Sequence, residues 1–499
     1  MIVDKGIVFS DYEKLKAEAK KKFERGDFSF SALCVKQAAI LMYNANLIYS
    51  DDELENYLSL LCRRIFSDKK KRFEKKSVKK RVFFYDYFAL DNRGLTEQYL
   101  TALFDAEYDL FYLGCNEGEK STEIYRRLQM HDVPFNVVKE SEEIERAICI
   151  KNDIEGFCPD IILAHTSPWD VAGLVAIKAF EGNCERYLIN ITDHAFWLGT
   201  KAFDFFIEFR NYGYNVSRRY RGIDERKLLM LPYYPIINDL TSFQGFDFES
   251  AGKKIVFSGG AIYKIQGSPV FFNLVKHILN NHSDVIFLYL GGGDFSVFEN
   301  FVRENKFQKR FFYYTERKDI FEIFKRCDIY LNTYPLIGGL MTQYACVAGK
   351  LPITINVGGN NNFNNVDELL LGKSDVKIQY DSEEDCERAL DFYLNNPQIL
   401  KDVGKKIKNE IIAPKDFKKH LLLYLNGKRD CSFSLRDYDI NFEMVFQSYI
   451  KRFNENLVDN YFSIFTILGK KAFVHFPIYF CHSFCVRALR KVKKILKLK

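Results

Sequence analysis

Two short stretches, Asp160-Ile161-Ile162-Leu163-Ala164 and Tyr187-Leu188-Ile189-Asn190-Ile191, are apolar almost throughout. A strand with one wet face alternates apolar and polar residues. A near-continuous run instead means cover on both faces, the condition of a parallel sheet sandwiched by helices. Similar runs recur at intervals that leave room for a helix: Val82 to Tyr85, Leu110 to Leu113, Phe135 to Val138, Phe205 to Glu208 and Leu228 to Leu231. Pro232-Tyr233-Tyr234-Pro235 then stops the series, and the mixed stretch to Gly252 predicts a connection between domains. A second series follows at Lys254 to Phe257, Val285 to Leu290, Phe311 to Tyr314, Ile329 to Asn332, Leu351 to Ile355 and Val376 to Ile378. Alternation of this kind implies βαβ units, so the chain predicts two doubly wound α/β halves.

The flanks read differently. Tyr12 to Arg25, Ser29 to Asn46 and a segment from about Ser50 to Phe66 predict three helices. The pair also resembles one tetratricopeptide unit; the plainer reading is a packing cap on the next domain. Residues 1–68 are therefore taken as a helical region and the cation-rich 69–80 as a solvated linker. The two sheet domains are placed at 81–240 and 253–427, with a helical, aromatic tail at 428–499. Near the end, Val486, Leu489, Val492, Ile495 and Leu496 interleave at helical spacing with Arg487, Arg490, Lys491, Lys493, Lys494, Lys497 and Lys499. Such a basic amphipathic helix can lie on an anionic membrane surface or dock as a polar terminal helix.

At 499 residues the chain has length for two or three domains, and 47% hydrophobic residues supply their cores. A net charge of +6 is too small to imply nucleic acid. Asp4 and Lys5 interrupt any signal-peptide pattern, and twelve scattered cysteines suggest free thiols in a reducing, cytosolic compartment. No run reaches the roughly 20 apolar residues of a membrane span. Cys481, His482 and Cys485 lack a second ligand pair, so they read as thiols rather than a metal site. Asp437-Tyr438-Asp439 has the letters of a metal-holding Asp-x-Asp motif but lies beyond both sheets, and reads as a surface turn.

Ligands of open parallel sheets bind beyond the carboxyl ends of the strands, so the loops there are the candidate site. Ser258-Gly259-Gly260 follows the first strand of the second half, and Lys264 stands just before an expected helix from Gln266 to Asn280. Gly291-Gly292-Gly293 follows the next strand. After Asn332-Thr333-Tyr334-Pro335, Gly338-Gly339 would set the amides of Leu340, Met341 and Thr342 at a helix start, where N–H groups suit a pyrophosphate. The alternative is a crossover whose glycines only permit a tight turn. In the first half, His194 in Thr192-Asp193-His194 is a candidate general base, Glu208 a second, and Arg93-Gly94 a candidate acceptor contact.

Tyr263-Lys264-Ile265, the 332–339 block with Ala348-Gly349, and Trp197-Leu198-Gly199 followed by Phe203-Asp204 and Ile207 resemble O-GlcNAc transferase-like glycosyltransferases. The resemblance spans about Tyr187 to Pro352. It implies the GT-B fold, two facing Rossmann-like domains, and transfer from a UDP-sugar to a glycan, lipid-linked or protein hydroxyl without a metal or other cofactor. It further implies that Lys264 neutralises the donor diphosphate, that Gly339 to Thr342 cradle the phosphates, and that Tyr314-Thr315-Glu316 lies near the base. Two positions depart from the family: Gly339-Leu340-Met341 replaces a polar turn, and Tyr344 stands where an acid would hold the ribose. A nucleotide-sugar epimerase of the same fold and a non-catalytic partner of another transferase are the alternatives.

Overall fold

The computed structural model describes residues 4–66, 78–91, 95–104, 106–115, 122–237, 241–266, 268–357, 363–429, 433–469 and 476–495. Arg93, Gly94 and most of the basic linker lie outside them. The chain forms two compact units. The first combines Met1–Leu231 with Leu421–Lys499, and the second is Pro232–His420. The Pro232-Tyr233-Tyr234-Pro235 stop thus falls on the division. The return falls at Leu421, inside the Pro414–Leu425 helix rather than beyond it.

Among the described residues the first unit holds seven parallel strands: β1 (Lys80–Asp86), β2 (Tyr108–Gly114), β3 (Phe135–Val137), β4 (Ile161–His165), β5 (Glu185–Ile189), β6 (Phe205–Glu208) and β7 (Leu228–Met230). Their order is β3-β2-β1-β4-β5-β6-β7. The second holds β8 (Lys254–Gly259), β9 (Val285–Leu290), β10 (Phe311–Tyr314), β11 (Ile329–Leu331), β12 (Leu351–Ile355) and β13 (Gln379–Tyr380), ordered β10-β9-β8-β11-β12-β13. Each sheet therefore reverses its strand order once, between β1 and β4 and between β8 and β11. Strands β4 and β9 are buried along their whole length, as continuous apolar runs require. Only the last strand is displaced from its expected place, Val376 to Ile378: a two-residue edge strand carries no periodicity to read.

The three N-terminal helices are α1 (Lys5–Glu24), α2 (Phe28–Ala45) and α3 (Asp52–Ile65). Asp51 caps α3 by accepting from the amides of Glu53 and Leu54, and Arg63 and Arg64 sit in its last turn, where they oppose the helix dipole. The helices are part of the first unit's core, not a separate domain. Two buried polar side chains tie them to the backbone of the loop after β5. Asn46, in the left-handed conformation at φ 47°, donates through Nδ2 to the His194 carbonyl at 3.1 Å and accepts from the Phe196 amide at 2.9 Å. Glu55, fully enclosed, accepts from the amides of Gly199 and Lys201 at 2.6 and 3.1 Å. From the tail, Tyr461 donates to Asp11 at 2.7 Å.

Replacing Asn46 strands a buried amide and puts a Cβ-bearing residue without a side-chain partner in the left-handed region. Asn46→Ala is expected to cost about 2–4 kcal/mol, read as a lower urea midpoint with an unchanged m-value.

Candidate functional site

In the second unit, the loops after β8, β9 and β10 are knitted by backbone bonds: Gly260 N–H to Leu290 O at 2.9 Å, Ile262 N–H to Gly292 O at 2.9 Å and Gly291 N–H to Tyr314 O at 3.1 Å. A Cβ on Gly291 would sit 1.8 Å from the Gly260 carbonyl oxygen, and Gly260 itself lies at φ 142°. These glycines are needed for the close approach of the chain to itself. Ser258, next to last in β8, is buried, and its Oγ meets no hydrogen-bond partner among the described residues. Gly259 is packed against Met341: a Cβ there would meet the Met341 Cε at 2.9 Å. Thr315 is exposed, one residue beyond β10.

The Gly339–Val347 helix begins beyond β11, on the switch-point strand. Its start is organised by Asn332. The Asn332 Oδ1 accepts from the amides of Thr333 and Gly338, both at 2.9 Å, while Nδ2 donates to the hydroxyls of Thr342 at 2.9 Å and Thr354 at 3.1 Å. The N-cap, Gly338, has no side chain to cap the helix. The first intrahelical bond runs from Thr342 N–H to Gly338 O at 2.9 Å. The amides of Gly339, Leu340 and Met341 therefore stand at the helix mouth, with no acceptor among the described residues. The Thr342 amide, expected among the phosphate donors, is already engaged; the set is shifted by one residue.

Lys264 reaches the same place. It lies in a 3-10 turn, Ile262–Ile265, and its Nζ donates to the Ile337 carbonyl at 3.2 Å, one residue before the N-cap. Its own carbonyl accepts from the Leu336 amide at 3.2 Å. The following helix starts at Val270 after Pro269, not at Gln266, so its N-terminus is set well apart from Lys264 in sequence. A proline is confined to the first turn of a helix, which fixes that start. Tyr344 is turned away from such a role. Its hydroxyl donates to the Ile236 carbonyl at 2.5 Å, and its ring stacks on Phe324.

In the first unit, the loop after β5 is held by buried charges. Arg210 donates twice to Asp193, at 2.6 and 3.0 Å. Burial works against the Asp193 charge, but Arg210 and His194 outweigh it and hold the carboxyl well below its ordinary value. Asp193 also lies 3.3 Å from Nδ1 of His194, whose side chain is one-third exposed at 33% and packs beside Tyr449. Arg221 donates to the carbonyl of Ala195 at 2.7 Å and lies over the Trp197 ring. Glu208 is wholly enclosed: Asn190 donates to both its oxygens at 2.9 Å and Ser217 to one at 2.6 Å. That is the position of a brace, not of a base open to a substrate.

One polar cluster at the first sheet's switch point carried no motif. Asp86 ends β1 and His165 ends β4, and the two are paired in register. The His165 Nδ1 is 2.9 Å from Asp86 Oδ1, and Thr96 and Tyr112 donate to Oδ2 at 2.9 Å each. All four are buried, and the His165 Nε2 has no hydrogen-bond partner among the described residues. An assumed β3-β2-β1-β4 order would have placed these two strand-ending residues side by side.

No protein-family model and no curated protein matches the chain. Solved structures do match. A glycosyltransferase from Rickettsia africae is 13% identical with a TM-score of 0.53, over 70% of this chain and 99% of that one. An O-GlcNAc transferase mutant from Thermobaculum terrenum is 14% identical with a TM-score of 0.55, over 85% and 83%. Anabaena HepE, in complex with UDP and glucose, is 12% identical with a TM-score of 0.53, over 70% and 100%. The fold is GT-B. A UDP-N-acetylglucosamine 2-epimerase is also similar, 12% identical with a TM-score of 0.51 over 72% and 100%, so the GT-B fold alone does not name a reaction.

Burial pushes the Glu208 carboxyl up from 4.5 to about 7, against the opposing pull of Arg221 and of the Ser217 and Asn190 hydrogen bonds, with Asp193 adding to the rise. Between these values the folded chain keeps a proton that the unfolded chain has released. Stability from this group is therefore present at low pH and lost as pH rises through about 7. Glu208→Gln, which cannot ionise, should gain on the parent by roughly 1 kcal/mol per pH unit between pH 5 and 7, measured by denaturant unfolding across that range.

Proposed function

We propose that the chain is a glycosyltransferase that moves a sugar from a UDP-sugar to a hydroxyl of a glycan, lipid-linked or protein acceptor, without a metal. The observation that carries this reading is the convergence of the Lys264 Nζ on the uncapped start of the Gly339–Val347 helix. A cation and three amides at one helix mouth suit a diphosphate, which carries its greatest charge as it leaves the sugar. The UDP held by the similar Anabaena protein supports a nucleoside diphosphate as the leaving group.

In this reading the acceptor oxygen attacks the anomeric carbon as the bond from that carbon to the diphosphate oxygen breaks. Lys264 and the amides of Gly339, Leu340 and Met341 take up the charge of the departing nucleotide. Gly259 and Gly260 give the chain clearance beside them, and Thr315 lies at the nucleotide's base. His194, oriented by Asp193, takes the acceptor proton.

Lys264→Ala is expected to lower kcat by about 10²–10³ without moving the melting temperature. His194→Ala is expected to lower transfer by about 10²–10⁴ while leaving UDP binding intact, read by calorimetry. Both need a donor, found by screening nucleotide-sugars for thermal stabilisation and acceptor-dependent release of nucleotide, with and without EDTA. Loss of all turnover in EDTA overturns the metal-free mechanism. An epimerised donor formed without acceptor overturns the transferase reading, and binding without turnover in any pairing indicates a non-catalytic partner.

A further inference from the structure

The residues that end β2, β1 and β4 stand side by side where the first sheet reverses its strand order: Gly114 is paired with Asp86, and Asp86 with His165. Asp86 is saturated. Its Oδ1 accepts from the Phe88 amide at 3.1 Å, and its Oδ2 accepts from the Thr96 and Tyr112 hydroxyls. Three donors already point at these oxygens, as they would at a carboxylate, which can only accept. The hydrogen between Asp86 Oδ1 and His165 is therefore on Nδ1, and a neutral imidazole held in this way presents a bare lone pair at Nε2. That lone pair is buried and meets no donor among the described residues. The half-buried Phe88 ring lies 5.1 Å from the imidazole, centroid to centroid, and has no polar atom to offer it.

A second atom of the same kind stands on the other side of Asp86. Tyr125, from the Thr122–Met130 helix, meets the Tyr112 ring edge-on, and its hydroxyl lies beside the end of β2: a Cβ on Gly114 would sit 2.7 Å from it. That hydroxyl is also enclosed, with no hydrogen-bond partner among the described residues. Buried polar atoms without partners are uncommon in folded chains. Here an acceptor and a hydroxyl flank a spent carboxylate at a topological switch point, where open parallel sheets take their ligands.

The chemistry selects the ligand. Nε2 needs a donor, which a carboxylate or phosphate ion lacks, and the Asp86 charge behind the ring repels an anion. No group of three His, Cys, Asp or Glu side chains among the described residues is placed to hold a metal. A sugar hydroxyl can donate to Nε2, and another oxygen of the same sugar can pair with Tyr125. We infer that the ends of β2, β1 and β4 form a subsite for a neutral, polyhydroxylated sugar, held by the His165 Nε2 and the Tyr125 hydroxyl, with Asp86 setting the His165 tautomer. The sugar enters by displacing the Phe88 ring, a side-chain movement of the kind that binding commonly requires. That this sugar is the acceptor of transfer rests on the transferase reading; that it binds the first unit does not.

The test is ring-nitrogen NMR of the full-length chain carrying isotope-labelled histidine, the His165 signals being those lost in His165→Asn. Asparagine keeps an N–H where Nδ1 stood, and so keeps the Asp86 partner, but has nothing at Nε2. The free chain is expected to show His165 protonated on Nδ1 and bare at Nε2. Among free hexoses, N-acetylhexosamines and deoxyhexoses added singly, at least one should shift the Nε2 signal, and UDP should not. His165→Asn and Tyr125→Phe should each weaken that sugar about tenfold, read by saturation transfer, with UDP affinity unchanged. Once a donor and acceptor are in hand, both variants should raise the acceptor KM by a similar factor with kcat little changed. A proton on Nε2 instead of Nδ1, an Nε2 signal that no sugar moves (as when a water fills the place), or undiminished sugar affinity in both variants overturns the inference. If His165→Asn fails to fold, Tyr125→Phe decides it. Absence of turnover with sugar binding intact counts against the transferase reading and not against this subsite.

Discussion

Asn332 fixes the turn between the end of a strand and the helix that follows it. Its amide has two donors and two acceptor lone pairs, and the structure uses both ends. The oxygen gathers two backbone amides, which fixes the path of the chain between β11 and the Gly339–Val347 helix. The nitrogen ties that helix to β12 through Thr342 and Thr354. An aspartate there would repel none of the amides, but it could not donate to the two hydroxyls. With the turn fixed, Gly338 presents a helix start whose donors have no acceptor among the described residues, and the Ile337 carbonyl comes within reach of Lys264. The half-buried amides of Gly339, Leu340 and Met341 are thereby grouped at one helix start beside Lys264, the arrangement on which the proposed diphosphate site rests.

The first unit solves a different problem. The loop after β5 has little regular structure, yet it is largely buried from Ala195 to Gly199. Buried backbone needs partners, and here they come from distant parts of the chain. Asn46 and Glu55 supply them from the N-terminal helices, and Arg221 from beyond the Asn211–Arg219 helix. Asp193 and Arg210 neutralise each other inside, because a lone buried charge would be far costlier than a pair. This is why the helical N-terminal region belongs to the unit rather than standing beside it. It completes the hydrogen bonding of a loop that the sheet cannot satisfy.

The terminal helix shows the limit of that packing. Its inner side is fixed by an ion pair and a ring contact, while Leu489 and Val492 on its outer side are exposed.

Sequence alone determined the strands and hence the α/β class, since continuous apolar runs such as β4 and β9 are a local record of burial on both faces. It also determined the three N-terminal helices, whose caps and spacing are local, and the motif around Asn332 and Gly338-Gly339. Tertiary structure decided everything that depended on which side a residue faces. Glu208 ends one apolar strand and His194 follows another, but only packing showed one enclosed by Asn190 and Ser217 and the other partly open. Tyr344 looked like a ligand position until its hydroxyl was found on the Ile236 carbonyl. Asp86 and His165 are far apart in the chain and adjacent only because the sheet reverses between β1 and β4. A local pattern records how deeply a residue is buried. The partner it is buried against is a contact between distant segments, and only the folded chain sets it.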